Sequence, residues 1–441
     1  MSELRRELGV VSAALLVVGG IIGSGIFFTP AEVARALPSG GWIFSVWLLG
    51  GFLALAGALT YAELGAMLPT AGGPYVYIRQ AFGSLPAFLY GWMALLSIAS
   101  GAIAAVAMGF AGYLARFVDV APAGGRIGVA AATILLLSIT NVIGLKPGTM
   151  LQNVLTAAKI VALTVLIVGG FMLWARLGAP PAVVSAPAPP ESVVAGFAAA
   201  FVAVLFTIGG WQQMNMVAGE IRDPEKTIPK ALFVGILIVV AIYLGANAVY
   251  LRALGRDGLA ASAAVAADVA QRMVGPTGAT LISVAAMLSI LGFVNVAILA
   301  NSRLPFALAR DGVFLESVGR IHPRFGTPYL SIMLMGGWAL VLLFATRGEI
   351  GALLSGVVFA DWIFFGLGAA SVFVLRRTMP EAHRPYRAWG YPIIPGFFVA
   401  AAAFGVLSAI VAAPMTSLLG TAMLLVGAAV HARITRRRAH N

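Results

Sequence analysis

The stretch Gly19 to Pro30 reads GGIIGSGIFFTP and sits inside an apolar run long enough to span a bilayer. Its centre, Gly23-Ser24-Gly25, is poor helix-forming material, because Gly costs about 1 kcal/mol against Ala in a helix interior. In lipid, each backbone group left unpaired costs several kcal/mol more. A glycine-rich break at mid-membrane depth is therefore tolerated only where it lines a protein cavity. Amides freed at the start of the second half-helix face an anion, and carbonyls freed at the end of the first face a cation. A zwitterion carries both charges, so the stretch predicts a site for an amino-acid-like solute.

The rest of the chain supports a membrane setting. Its 441 residues are 61% apolar and only 10% charged, which excludes a soluble globular protein. Apolar runs of about 20 residues recur from end to end, so we expect an all-α polytopic membrane protein. Twelve segments are predicted: 9–36, 41–68, 84–116, 126–145, 148–175, 192–219, 229–254, 277–302, 327–346, 350–376, 392–412 and 416–433. Gly and Pro punctuate most of the gaps, and Gly178 to Pro190 reads as an apolar, Pro-rich linker. An even number of crossings puts both termini on one side. Lys and Arg concentrate there, at positions such as Arg5, Arg79, Lys146, Arg222, Lys230, Arg303, Arg310, Arg376 and Arg384, and in the tail from Arg433 to Arg438. The positive-inside rule makes that side the cytoplasm. The net charge of +12 is explained by those loops and requires no nucleic acid. No cleaved signal peptide is expected after the N-terminal MSELRRELG.

Segment 6 repeats the anomaly of segment 1. Leu205 to Asn215, LFTIGGWQQMN, places Gly209-Gly210 mid-span and follows them with Gln212, Gln213 and Asn215. Five segments separate the two, so corresponding segments of two five-segment halves run in opposite directions. Close helix packing explains either glycine cluster alone. Two interrupted helices at matching places point to an inverted-repeat transporter with a midplane site. We expect one transmembrane domain over 1–433, with repeats at 9–175 and 192–376, peripheral helices at 392–433 and a basic tail at 434–441.

Two charges stand inside segments. Lys159 lies about 20 Å along a helix from Lys146, at 1.5 Å per residue, too far for easy snorkelling. A lysine near mid-bilayer is expensive and should point inward toward acceptors. Asp361, in VVFADWIFFGLG, reads as a proton-coupling carboxylate, a partner for a substrate cation, or a hydrogen-bonded packing residue. Glu63 and Glu220 close segments 2 and 6 near loops carrying Arg222 and Arg310. They form either a salt-bridge gate or a solvated structural pair. Catalytic constellations are not expected: His322, His383, His431 and His440 are assigned to loops or the tail without metal-ligand spacing. There is no GxSxG or phosphate loop, so neither an enzyme nor an ATP-driven pump is predicted. No metal or cofactor is expected.

Several longer stretches carry a family pattern. They are GGIIGSGIFFTP, YAELGAMLPTAGGPYVYIRQAFGSLPAFLYGW at 61–92, LFTIGGWQQMNMVAGEIRDPEKTIPKA at 205–231, NSRLPFALARDG at 301–312, IHPRFGTP at 321–328 and RRTMPEAHRPYR at 376–387. With these, the chain resembles the L-type amino acid transporter family of the amino acid–polyamine–organocation superfamily, in a bacterial form. The resemblance implies a ten-helix inverted repeat plus two peripheral helices. It implies that the substrate carboxylate is held by amides of Ser24 and Gly25, with Ile26 adjacent and Gly23 within the break. It assigns the ammonium to carbonyls of Ile21, Ile22, Phe206, Thr207 and Gly209, with Phe206 closing over the substrate. Relatives often have Tyr where this chain has Ile208, and some have Asn where it has Gln212, so the side-chain pocket departs from the pattern. The resemblance also places Lys159 where sodium-coupled relatives hold sodium, its ammonium bridging Gly20 or Gly23 to Ser289 or Asn295 on segment 8.

The expected function is sodium-independent alternating-access transport of L-amino acids, most simply neutral ones of small to medium size, by exchange across the inner membrane. Proton-coupled symport by the same fold is the alternative, with a cationic amino acid or polyamine carrier, or a channel, behind it. Neutral substrates are expected because the breaks expose no acidic side chain, unless Asp361 reaches the pocket. The chain has no cysteine, so no disulfide can tether it to a heavy subunit.

Overall fold

The computed structural model describes residues 4–121, 124–180, 187–349, 357–412 and 414–439. Among them every regular element is helical, apart from an isolated bridge between Leu8 and Ile221. Among the described residues, ten helices are long and apolar enough to cross a membrane, by length and composition. Two shorter apolar helices, Val193–Thr207 and Tyr329–Ala345, stand at the positions of segments 6 and 9. A helix satisfies its own backbone, which is what a chain this apolar must do in lipid.

Packing centres on the two interrupted segments. The first half of segment 1, Val10–Ile21, lies against segments 5, 7 and 8, while its second half, Gly25–Ala36, lies against Val193–Thr207 of segment 6. Segment 7, Pro224–Ala261, backs the break of segment 1 from one side and segment 8, Pro276–Asn301, from another. The last two helices, Ile393–Ala412 and Pro414–Ala439, sit outside this cluster. Only 28% and 22% of their apolar windows are buried, against 67% for segments 2 and 3, and they present Val411, Leu418 and Leu425 outward. These exposed side chains suit contact with lipid tails.

The structure differs from the sequence expectation at several joints. Three stretches assigned to loops are helical: Pro74–Phe82, Val265–Val274 and Arg303–Arg310. The first starts with Pro at the position where a missing N–H costs nothing. The last is buried from Arg303 to Ala309 and exposes only Arg310, a buried helix whose charged ends read as a loop. Segment 7 extends over Pro224–Ala261 with non-helical backbone at Gly255. The basic tail continues the last helix to Ala439, since Arg is a good helix former. His431 is thereby buried in that helix against Phe88, with ring centroids 5.3 Å apart, and is not a loop residue. His440 and the expected start of segment 10 at 350–356 lie outside the described residues. Segment 10 is described from Val357 to Thr378.

Candidate binding site at two broken helices

Segment 1 unwinds where its glycines predict. Val10–Ile21 ends as Ile22 leaves helical geometry at φ −75°, ψ 86°, and the helix restarts at Gly25. The Gly23 amide turns back to the Ile21 carbonyl at 2.9 Å. Ser24 precedes the new helix without a side-chain capping bond, so the first amides of Gly25–Ala36 remain available to an anion.

Segment 6 unwinds more completely than expected. Its first half ends at Thr207, and only a four-residue helix, Gln213–Met216, and a 3-10 turn, Ala218–Glu220, follow. Gly210 adopts φ +103°, a region that L side chains avoid. Its amide donates to the Gln212 side-chain oxygen at 2.9 Å, and not to the carbonyl of Phe206 four residues back. The Phe206 carbonyl thus loses its helical partner, and Gln212 is committed through Oε1 to holding the break open.

The two breaks touch. A Cβ at Gly20 would stand 2.7 Å from the Gly210 carbonyl oxygen, and one at Gly25 would stand 2.5 Å from the Thr207 methyl. The Thr29 and Thr207 hydroxyls meet at 2.6 Å. The Tyr243 hydroxyl on segment 7 lies 3.2 Å from the Ile21 carbonyl and 3.3 Å from that of Thr207. Tyr243 carried no motif, and a tyrosine inside an otherwise apolar run is the one signal that marked it.

A cavity opens at this junction. Ile21, Gly23, Ser24, Gly25, Phe206, Thr207, Gly209 and Gln212 line it, as the sequence reading expects of them. Ile22 and Ile26 do not: both are fully buried outside its wall. The Ile22 carbonyl turns instead toward Lys159 and Ser289, because the break rotates consecutive peptides to different sides. The remaining wall includes Tyr90, Phe293, Asn301, Trp362 and Asp361. Ala94 and Ile98, which bound a π-helical turn in segment 3, line it as well. Such turns often mark functional sites.

Lys159 is completely buried behind the break. Its ammonium donates to the carbonyls of Ile22, Gly19 at 3.4 Å and Ser289 at 3.2 Å. The expected link between segments 1, 5 and 8 is present, but through Gly19 and Ile22, and not through Gly20 or Gly23. Ser289 also donates its hydroxyl toward the carbonyls of Gly23 at 2.9 Å and Ile22 at 3.2 Å. Asn295 plays no part in this contact. Its Oδ1 accepts from Asn141 at 2.9 Å, and its Nδ2 reaches Gly148 and Gln152 at 3.0 and 3.1 Å. Six residues, nearly two turns, further along segment 8 than Ser289, it lies past the lysine in a separate polar belt.

The two glutamates are buried and paired with partners other than Arg222 and Arg310. Glu220 forms a two-bond pair with Arg303, at 2.6 and 2.9 Å, with side chains 2% and 1% exposed. Glu63 does the same with Arg376 at 2.9 and 2.6 Å, and accepts the Ala388 amide at 2.7 Å. Arg384 approaches Glu63 at 3.5 Å. Arg222 instead reaches the Arg6 carbonyl at 3.4 Å, and Arg310 is exposed. Arg303 was counted as a loop cation because it follows an apolar helix directly. It stands in the first turn of Arg303–Arg310, which is buried as far as Ala309. Nearby, Arg79 and the Tyr75 hydroxyl both hold Asp311, at 2.6 and 2.7 Å. Burial first, and the bond to Asp311 second, hold the Tyr75 hydroxyl well above its ordinary pKa, so it remains a donor.

Comparison with known proteins places this architecture. The family model described as amino acid permease matches residues 8–430. The chain is 31% identical to the serine/threonine exchanger SteT of Bacillus subtilis (strain 168), over 99% of this chain and 98% of that one. It is 33% identical to the human large neutral amino acids transporter small subunit 2, over 97% and 80% respectively. It is 31% identical to the human b(0,+)-type amino acid transporter 1, over 94% and 84%. The chain therefore belongs to the amino acid permease family, within the amino acid–polyamine–organocation superfamily that its motifs resemble.

Proposed function

We propose that this protein is a sodium-independent exchanger of L-amino acids, working by alternating access in the cytoplasmic membrane with both termini inside. Two five-segment inverted repeats, 9–175 and 192–376, form the carrier, and the last two helices are peripheral. The observation that carries the reading is the shared cavity of the two breaks. Gly25, whose helix opens with uncapped amides, and Phe206, whose carbonyl has lost its helical partner, both line it. An α-carboxylate and an α-ammonium complete these two sets of groups. Gly23, Ser24 and Gly25 frame the carboxylate. Thr207 and Gly209 continue the carbonyl edge begun by Phe206, and the Phe206 ring closes the cavity.

Sodium independence rests on Lys159. A fixed ammonium on the Gly19, Ile22 and Ser289 carbonyls supplies the positive charge that freed carbonyls require. Exchange is also what the printed name of the serine/threonine exchanger SteT suggests. The chain performs no covalent chemistry in this reading. Among the described residues no group of three or more His, Cys, Asp or Glu side chains could hold a metal.

The test is transport by purified protein in liposomes. Labelled amino acid uptake should rise with unlabelled amino acid inside and be indifferent to sodium. Uptake that ignores internal substrate but follows a proton gradient would replace exchange by symport. A chemically altered product would point to an enzyme.

A further inference from the structure

The cavity holds more acceptors than the backbone of an amino acid can satisfy. Asp361 enters its wall from segment 10. No hydrogen bond or ion pair reaches its carboxylate from the described residues, so the packing role that a bonded aspartate would play is not in evidence. Gln213, 6% exposed, also lines the cavity, but its unpartnered Oε1 is buried and lies toward Gly20. The lysine that might have neutralised the aspartate is spent on three carbonyls elsewhere.

A carboxylate in a low-dielectric cavity is costly unless a cation joins it. The α-ammonium of the substrate is already accounted for by the carbonyl edge at Phe206. A further cation must come from the substrate's side chain. We propose that Asp361 is the side-chain subsite of this carrier and selects basic L-amino acids, whose ammonium or guanidinium it pairs. Arginine, whose planar fork meets a carboxylate with two N–H donors at once, fits it best. The pair is charge-neutral, so a substrate of net charge +1 crosses the cavity without leaving Asp361 uncompensated. This inference rests on the exchanger reading above and replaces the expectation of neutral substrates, which assumed no acid in the pocket.

The decisive probes are arginine and citrulline, nearly isosteric, charged and uncharged. Wild-type protein in liposomes loaded with unlabelled arginine should take up labelled arginine with kcat/KM on the order of a hundredfold above that for citrulline. Asp361→Asn keeps the shape and removes the charge, and should collapse that ratio to within about threefold. A wild-type protein that exchanges alanine or serine but discriminates against arginine would overturn the subsite while leaving the exchanger intact. So would an Asp361→Asn variant that keeps the ratio and loses only proton-driven uptake. Failure to exchange any amino acid would overturn both readings together. Because the arginine–citrulline comparison is made on the wild type, a misfolded variant does not rescue the proposal.

Discussion

Replacing Lys159 by Met keeps an unbranched apolar stem, one atom shorter, and removes the three donors, which separates the charge from most of the packing. In the native protein the ammonium serves Gly19, Ile22 and Ser289. The three losses are unequal. Ser289 is inside a helix, so its carbonyl keeps a helical partner, and the Ile22 carbonyl keeps the Ser289 hydroxyl at 3.2 Å. Gly19 has no such reserve, because the Gly23 amide that would close its helical turn is bonded to Ile21. The net loss therefore lies between one and two charge-assisted bonds, each about 1.5–3 kcal/mol, or about 2–4 kcal/mol in favour of the native break. At 1.4 kcal/mol per tenfold, that shifts the population of the competent break by roughly 30- to 700-fold. Exchange in liposomes is expected to fall by that order, with the melting temperature in detergent only modestly lowered, since the apolar stem still fills its space. Lys159→Ala should add a cavity and lose stability as well. Wild-type exchange by the Met variant would refute the reasoning, because the carbonyls would then be satisfied without a cation.

Other expectations follow from single contacts. Gly210→Ala should abolish exchange or folding, because φ +103° and the Gly20 carbonyl both oppose a Cβ, whereas Gly209→Ala meets only atoms at 3.5 Å and should retain the fold, as size-exclusion profiles would report. Glu220→Gln should destabilise by about 3–5 kcal/mol, the usual effect of stranding one member of a buried pair, while Glu220→Gln combined with Arg303→Met should recover part of the loss. Strict additivity in that cycle, read by thermal melting, would show the two side chains are not coupled. Tyr243→Phe removes the hydroxyl between the Ile21 and Thr207 carbonyls and should weaken the joint between breaks by about 0.5–1.5 kcal/mol, seen as an altered KM with near-normal expression.

The breaks were legible because their cause is local. Gly23-Ser24-Gly25 and Gly209-Gly210 are weak helix formers in a medium that punishes weakness, so sequence and physics agree without reference to neighbours. Lys159 was legible for the same reason, being a charge too deep to reach water. Its acceptors were not, because which carbonyl faces it depends on how the peptides of Ile21 to Ser24 rotate as the helix opens. The ion pairs were misassigned for a related reason. Arg303 and Arg310 look alike along the chain, and only their places in the short helix, one at its buried start and the other at its exposed end, tell them apart.

That distinction sharpens what each half of the site can do. The carbonyl end of segment 1 is largely occupied within the protein: Ile22 serves Lys159 and Ser289, and Ile21 serves the Gly23 amide and lies within reach of Tyr243. Its amide end is not, since the helix that starts at Gly25 has no capping side chain. In segment 6 the assignment is reversed, for Gly210 gives its amide to Gln212 and leaves the Phe206 carbonyl without a donor. One break therefore presents donors and the other an acceptor across a single cavity. A substrate with both charges joins them, whereas a carboxylate or an amine alone completes only one. An amino acid amide or a simple fatty acid should accordingly compete poorly, and equal inhibition by either would show that the two breaks do not act as one site.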